Sequence, residues 1–137
     1  MRARLVPALF LLLGAQGKGK PEPVEPGKVV GRRADNGMTY ALRIPKSYDA
    51  KRGARALLVL HGSNMSGRAY LETIAAAGWF PDDLLIGPDG RNPGGAEGAH
   101  NFDEGSAKGV VEVFDEVAKE WKVAKAFVGG HSQAEVH

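Results

Sequence analysis

The sequence predicts an α/β protein with a mainly parallel sheet preceded by an antiparallel hairpin. Three observations carry that prediction. The unbroken apolar run Ala56-Leu57-Leu58-Val59-Leu60, a second run Leu84-Leu85-Ile86 and a third segment Lys125-Ala126-Phe127-Val128 have the character of strands covered on both faces. Segments of helical pattern separate them, Ala69 to Ala77 and Ala107 to Trp121. Ahead of them, Asp35-Asn36-Gly37 sits between two extended segments, a strong hairpin signal because Asn and Gly both tolerate positive φ.

The first segment has the pattern of an export signal. Met1-Arg2-Ala3-Arg4 is a short basic start, Leu5 to Leu13 is apolar, and Gly14-Ala15-Gln16-Gly17 supplies small residues for cleavage. A spanning helix needs about 20 apolar residues, so the run is too short for one. Residues 1–17 are thus expected to be a signal peptide, residues 18–27 a flexible linker rich in Gly, Lys, Pro and Glu, and residues 28–137 a single folded domain. The protein is expected to be secreted or periplasmic, with no membrane association after processing. Arg2 and Arg4 account for the net charge of +2, and the neutral remainder gives no reason to expect nucleic acid as a partner. There is no cysteine, which excludes a disulfide framework and cysteine-ligated metal.

In the hairpin, Lys28 to Arg33 forms the first arm. The second alternates Tyr40, Leu42 and Ile44 against Thr39, Ala41 and Arg43, the pattern of a half-buried strand. The first long run, Ala56–Leu60, ends at His61-Gly62, and the second closes with Gly87-Pro88-Asp89-Gly90. Residues 91–105 form a Gly-rich loop. The Ala107–Trp121 helix gathers Val110, Val113, Phe114, Val117 and Trp121 on one face, with Glu112, Asp115, Glu116 and Lys119 elsewhere. The third run delivers Gly130-His131-Ser132. Parallel sheets place their sites at the carboxyl ends of strands, where this chain puts His61-Gly62, Pro88-Asp89-Gly90 and His131-Ser132.

Gly130-His131-Ser132-Gln133-Ala134 follows its strand directly, as a nucleophile elbow does. That turn raises a serine above the sheet on a strained backbone and needs small neighbours. Gly130 meets the need, while Ala134 stands where the pattern G-x-S-x-G has glycine. The order of features resembles the α/β-hydrolase family, in particular its secreted esterases near the polyhydroxybutyrate-depolymerase, feruloyl-esterase and carboxylesterase branches. The matching pieces are Ile44-Pro45-Lys46-Ser47-Tyr48-Asp49, Leu57-Leu58-Val59-Leu60-His61-Gly62, Pro88-Asp89-Gly90 and Val128-Gly129-Gly130-His131-Ser132-Gln133, from about Val29 to Gln133. The resemblance implies an N-terminal half of the hydrolase sheet, ending just after the elbow, without the C-terminal strands and helices.

It also implies roles. Ser132 is the nucleophile of a carboxylic-ester hydrolase, and the backbone N–H groups of Ser63 and Gln133 form the oxyanion hole, each worth roughly 3–4 kcal/mol when preorganised. His61 and Gly62 shape the oxyanion loop, and His131 flanks the nucleophile. The substrate is a small or polymeric ester, and no cofactor or metal is implied. The family orders its triad Ser, acid, His, and after Ser132 this chain offers only Glu135 and His137, too close in sequence to fold back as acid and base. The chain as given is therefore expected to be inactive. The alternative reading is a non-catalytic remnant or binding protein on half a hydrolase sheet, its third strand left as an edge. Its ester and oligomeric state are not defined by these motifs.

Two other chemistries fit poorly. Gly62-Ser63-Asn64-Met65-Ser66-Gly67-Arg68-Ala69 nearly matches a phosphate loop but lacks its Lys and its hydroxyl. His61, His100 and His131 with Asp89 or Asp103 show no metal-ligand spacing. The export reading makes a direct prediction: intact-mass measurement of secreted protein finds a chain starting near Ala15 to Gly17, and a product still starting at Met1 refutes it.

Overall fold

A computed structural model describes residues 22–62, 64–93, 100–103 and 105–130. Among the described residues, seven strands and two helices follow in the order β1 (Val29–Arg33), β2 (Thr39–Arg43), β3 (Ala54–Leu60), α1 (Gly67–Ala76), β4 (Leu84–Pro88), β5 (Asn92–Pro93), β6 (His100–Asn101), α2 (Ser106–Trp121) and β7 (Val123–Gly130). Five of the strands form one sheet in the order β1-β2-β4-β3-β7, and β5 pairs with β6 as a short ribbon inside the Gly-rich loop. The fold is α/β, with one helix on each face of a mixed sheet.

The expectation of a mainly parallel sheet needs correction. β3 pairs parallel with β4 and β7, but β2 pairs antiparallel with both β1 and β4. Parallel and antiparallel interfaces are thus equal in number. The hairpin is built into the sheet, because β2 inserts beside β4 and so adds a second antiparallel seam.

That placement also corrects the reading of β2 as half-buried. Its residues Tyr40, Ala41, Leu42 and Arg43 are all buried. Tyr40 and Leu42 pack with Val113 and Val117 of α2, while Ala41 packs with Leu71 and Ile74 of α1 on the opposite face. Alternation records one covered face only when the other meets water, and here a helix covers each. The two cores are carried along the neighbouring strands as well: Leu58 and Ile86 face α2, and Val59 and Leu85 face α1.

The hairpin forms where Asn-Gly predicts it, with a different turn. Gly37 has φ +92°, but Asn36 is not among the described non-glycine residues with positive φ. Gly37 N–H donates to Ala34 C=O at 2.9 Å, and Ala34 N–H donates to Met38 C=O at 2.9 Å. This is a three-residue loop, a tight turn followed by a left-handed glycine, rather than a two-residue turn with both central residues left-handed. Asn36 is engaged elsewhere: its amide donates to Gly109 C=O at 3.2 Å and to the Glu112 carboxylate at 2.9 Å.

Glu112, Glu116 and Glu120 recur every four residues and stand one above another on α2. The sequence pattern sets such residues away from the core, and the structure lays the column along the hairpin. Glu116 accepts from Asp35 N–H at 2.9 Å, and Glu120 lies 3.4 Å from the buried Arg32 guanidinium. Arg32 also sits near the Tyr40 hydroxyl and opposes the shift that burial imposes there. Burial prevails and pushes the Tyr40 pKa up to about 12.

β7 is the other departure from expectation. Its apolar run has the character of a strand covered on both faces, but it forms an edge of the described sheet, as the half-sheet reading expects, with Phe127 49% and Val128 67% exposed. β7 starts after Lys122, which ends α2 in the left-handed region at φ 52°. Among the described residues no helix is long and apolar enough to cross a membrane.

The buried Tyr40 hydroxyl has no hydrogen-bond partner among the described residues. Replacing it should therefore cost nothing and restore a little stability, about 1 kcal/mol. An unfolded tyrosine loses its proton near the ordinary value of 10.0 and the folded one only near 12, so the unfolded state gains as pH rises between them. Wild type should lose up to about 3 kcal/mol over that range relative to Tyr40→Phe. Parallel urea titrations of both proteins at neutral and alkaline pH measure it.

Candidate functional site

The carboxyl ends of β3, β4 and β7 lie along one edge of the sheet, because all three strands run the same way. Leu60, the last residue of β3, is in register with Gly130, the last of β7. The segments that follow in sequence, His61-Gly62-Ser63 and His131-Ser132-Gln133, therefore leave adjacent strand ends. Ser63, His131, Ser132, Gln133 and Ala134 themselves lie outside the described residues, and with them the expected nucleophile and both expected oxyanion donors.

His61 is fully buried. Its Nε2 lies 2.7 Å from Asp89 C=O and its Nδ1 2.6 Å from Gly62 C=O, and its ring packs on Phe102 with centroids 4.6 Å apart. A ring N–H donated to Asp89 ties the end of β3 to the end of β4, beneath the surface of the edge.

Asp89 holds the same corner with its side chain. Oδ1 accepts from the Gly67 N–H at 2.7 Å, and Oδ2 accepts from the Thr39 hydroxyl. Its own N–H donates to Thr39 C=O at 3.0 Å. One residue thus joins β2, β4 and the first turn of α1. A carboxylate at a helix N-terminus satisfies an orphan N–H and complements the helix dipole. Ser66 completes the cap, its hydroxyl accepting from Ala69 N–H at 3.1 Å. These contacts fix both ends of the loop from His61 to Ser66, the loop that carries Ser63.

Glycine makes the corner possible. A Cβ on Gly67 would stand 1.8 Å from Gly87 C=O, and one on Gly87 would stand 2.2 Å from Leu71 Cδ1. Only bare backbone allows α1 to begin this close to β4.

Sequence reasoning missed this use of Asp89, Thr39, Gly67 and Gly87. Pro88-Asp89-Gly90 carries an obvious turn signal, and a turn aspartate bonds its own backbone as often as a distant one. Ser66 followed by a helical pattern was the available sign of a cap.

Residues weighed for the two rival chemistries are engaged elsewhere where they are described. Arg68, the cation of the near-miss phosphate loop, pairs instead with Glu22 and with Glu72, the latter at 3.1 Å. Among the described residues no three His, Asp or Glu side chains come together as metal ligands. Asp103 is tied to the start of α2, its Oδ1 accepting from the Ser106 hydroxyl at 2.9 Å and from Gly105 N–H at 3.1 Å.

No protein-family model and no curated protein matches the chain. Among solved structures, a CE1 ferulic acid esterase of the anaerobic fungus Anaeromyces mucronatus, determined without substrate, aligns with a TM-score of 0.49 at 14% identity. The alignment covers 89% of this chain and 53% of the esterase, so the chain spans about half the length of that protein.

The corner predicts a coupled pair. Asp89→Ala leaves the Gly67 N–H and the Thr39 hydroxyl without their acceptor and should cost about 3 kcal/mol. Thr39→Val alone should cost about 1 kcal/mol, and the double variant less than the sum by more than about 0.5 kcal/mol. Urea unfolding of the four proteins of the cycle measures the coupling, and strict additivity would show that the two groups do not cooperate.

Proposed function

We propose that this chain is the N-terminal portion of an exported serine hydrolase that cleaves carboxylic esters. The observation that carries the reading is the Leu60–Gly130 register. It sets the end of β3, which His61-Gly62-Ser63 follow in sequence, beside the end of β7, which His131-Ser132 follow, at the carboxyl edge where α/β sheets hold their sites.

In this reading the Ser132 hydroxyl attacks the ester carbonyl carbon after giving its proton to a histidine base. The carbonyl oxygen becomes an oxyanion received by the N–H groups of Ser63 and Gln133. Collapse of the tetrahedral intermediate breaks the bond to the alcohol oxygen, which takes the proton back from the base, and water then releases the acid. The Asp89 corner serves this chemistry indirectly. Donors stabilise an oxyanion without reorganising only if their loop is already fixed, and Asp89, His61 and Ser66 fix the loop of Ser63. Asp89 and His61 are positioning residues here, since both are occupied within the corner.

The acid and the base are the groups that Ser132 needs beyond those named. In a form of the protein carrying an aspartate or glutamate and a histidine downstream of Ser132, a fluorophosphonate should label Ser132 and p-nitrophenyl acetate should turn over. Ser132→Ala should abolish labelling and lower kcat at least about 1000-fold, because triad members act as a unit. The 137-residue chain alone should hydrolyse the ester at background. Ester turnover that survives Ser132→Ala refutes the assignment.

A further inference from the structure

An open groove of about 590 Å³ lies between the hairpin turn, the Gly90-Arg91 turn and the start of α2. Its volume is in the range of small-molecule sites. Among the described residues, Arg33, Arg91 and Lys108 line it against one carboxylate, that of Glu112.

That carboxylate is already used. Glu112 accepts from the Asn36 amide at 2.9 Å and pairs with Lys108 Nζ at 3.2 Å, and these two contacts, Asn36 first, lower its pKa. Lys108 and Glu112 cancel one another. Among the described residues neither Arg33 nor Arg91 has a carboxylate partner. Arg33 is held by the hairpin turn, and Arg91 is set beside the start of α2. Arg33 Nη1 donates to Gly37 C=O at 3.0 Å. Arg91 lies across Gly105, where a Cβ would stand 1.8 Å from its Nη1, so glycine leaves the room that the guanidinium occupies.

The groove shares a wall with the site edge. Thr39 lines it and also donates to Asp89, whose carbonyl faces His61. Two guanidinium groups with no carboxylate partner among the described residues, beside an ester site, match a planar anion with two oxygens, because arginine donates two parallel N–H groups to a carboxylate.

We propose that this groove is a subsite for a carboxylate group carried by the ester substrate, with Arg33 and Arg91 as its ligands. The inference rests on the esterase reading for the reacting bond, but binding at the groove needs no nucleophile.

The test uses the full chain, labelled with 15N, titrated with succinate, with its neutral analogue succinamide and with inorganic phosphate at constant ionic strength. Succinate should shift the amides of Gly90, Gly105 and Gly109 saturably, and succinamide should leave them unmoved. Arg33→Gln and Arg91→Gln should each weaken succinate about tenfold, as loss of a charged hydrogen bond does. The paired variant Lys108→Gln/Glu112→Gln, which removes two charges that cancel, should change it little. The same spectra report whether each variant is folded, and both arginines are exposed, so folding is preserved. Absence of saturable shifts, equal response to succinamide, unchanged affinity in both arginine variants, or tighter binding of phosphate than of succinate overturns the proposal. Ser132 labelling in the extended protein is a separate readout. Succinate binding without labelling overturns the esterase reading and keeps the anion site, and labelling without binding does the reverse.

Discussion

The carboxyl edge of this sheet depends on the contact of Gly67 with Gly87 and on the carboxylate that closes it. α1 starts so close to β4 that any side chain on Gly67 would overlap the Gly87 carbonyl. Asp89 then reaches the Gly67 N–H and the Thr39 hydroxyl at once. A charged acceptor shared by two donors in a partly buried corner is a strong interaction, because little water competes for it. His61 adds a tie from below, through the Asp89 carbonyl. Both ends of the loop from His61 to Ser66 are therefore held, by the sheet, the helix and the buried ring.

The far side of the sheet is organised by charge as much as by packing. Glu112, Glu116 and Glu120 hold the β1–β2 turn and the buried Arg32 against α2. Each contact near the surface is worth little alone. Their value is in orientation: they set the hairpin over the valines of α2, where Tyr40 and Leu42 are buried. A groove lined by Arg33 and Arg91 opens beside that clasp, and its cations are what remain after Glu112 has been consumed by Asn36 and Lys108.

Local pattern revealed the elements and hid several of their neighbours. The apolar runs at Ala56–Leu60 and Leu84–Ile86 and the Val110, Val113, Val117 stripe became two strands and a helix because their burial depends on their own periodicity. What a strand pairs with does not. β2 alternates like a half-exposed strand, yet Ala41 is small enough to lie under α1, so its second buried face leaves no apolar signature. Phe127 and Val128 look like core and are exposed, since an apolar residue records only what a position tolerates. The acidic column of α2 has the composition of a solvated face, and only the tertiary arrangement brings a hairpin to it. At the candidate site, His61-Gly62 and Pro88-Asp89-Gly90 were legible as strand ends. The bond from Asp89 to Gly67 was not, because nothing local couples two residues that far apart in the chain.

The place of β2 between β1 and β4 sets the order in which this molecule can assemble. Residues 29–43 are synthesised early, but β2 gains its second strand partner only from Leu84–Pro88 and its cover on one face only from Ser106–Trp121. An isolated two-stranded hairpin is marginal in water. The closures that stabilise it span much of the domain, and contacts of long sequence separation slow folding, since their entropy is lost before their contacts form. Until α2 exists, Tyr40, Leu42 and Ile44 have no cover. A ribosome-bound chain stalled before Ser106 would therefore display the hairpin as an accessible apolar ribbon, suited to capture by a chaperone, and would gain protease resistance in a single late step as α2 emerges.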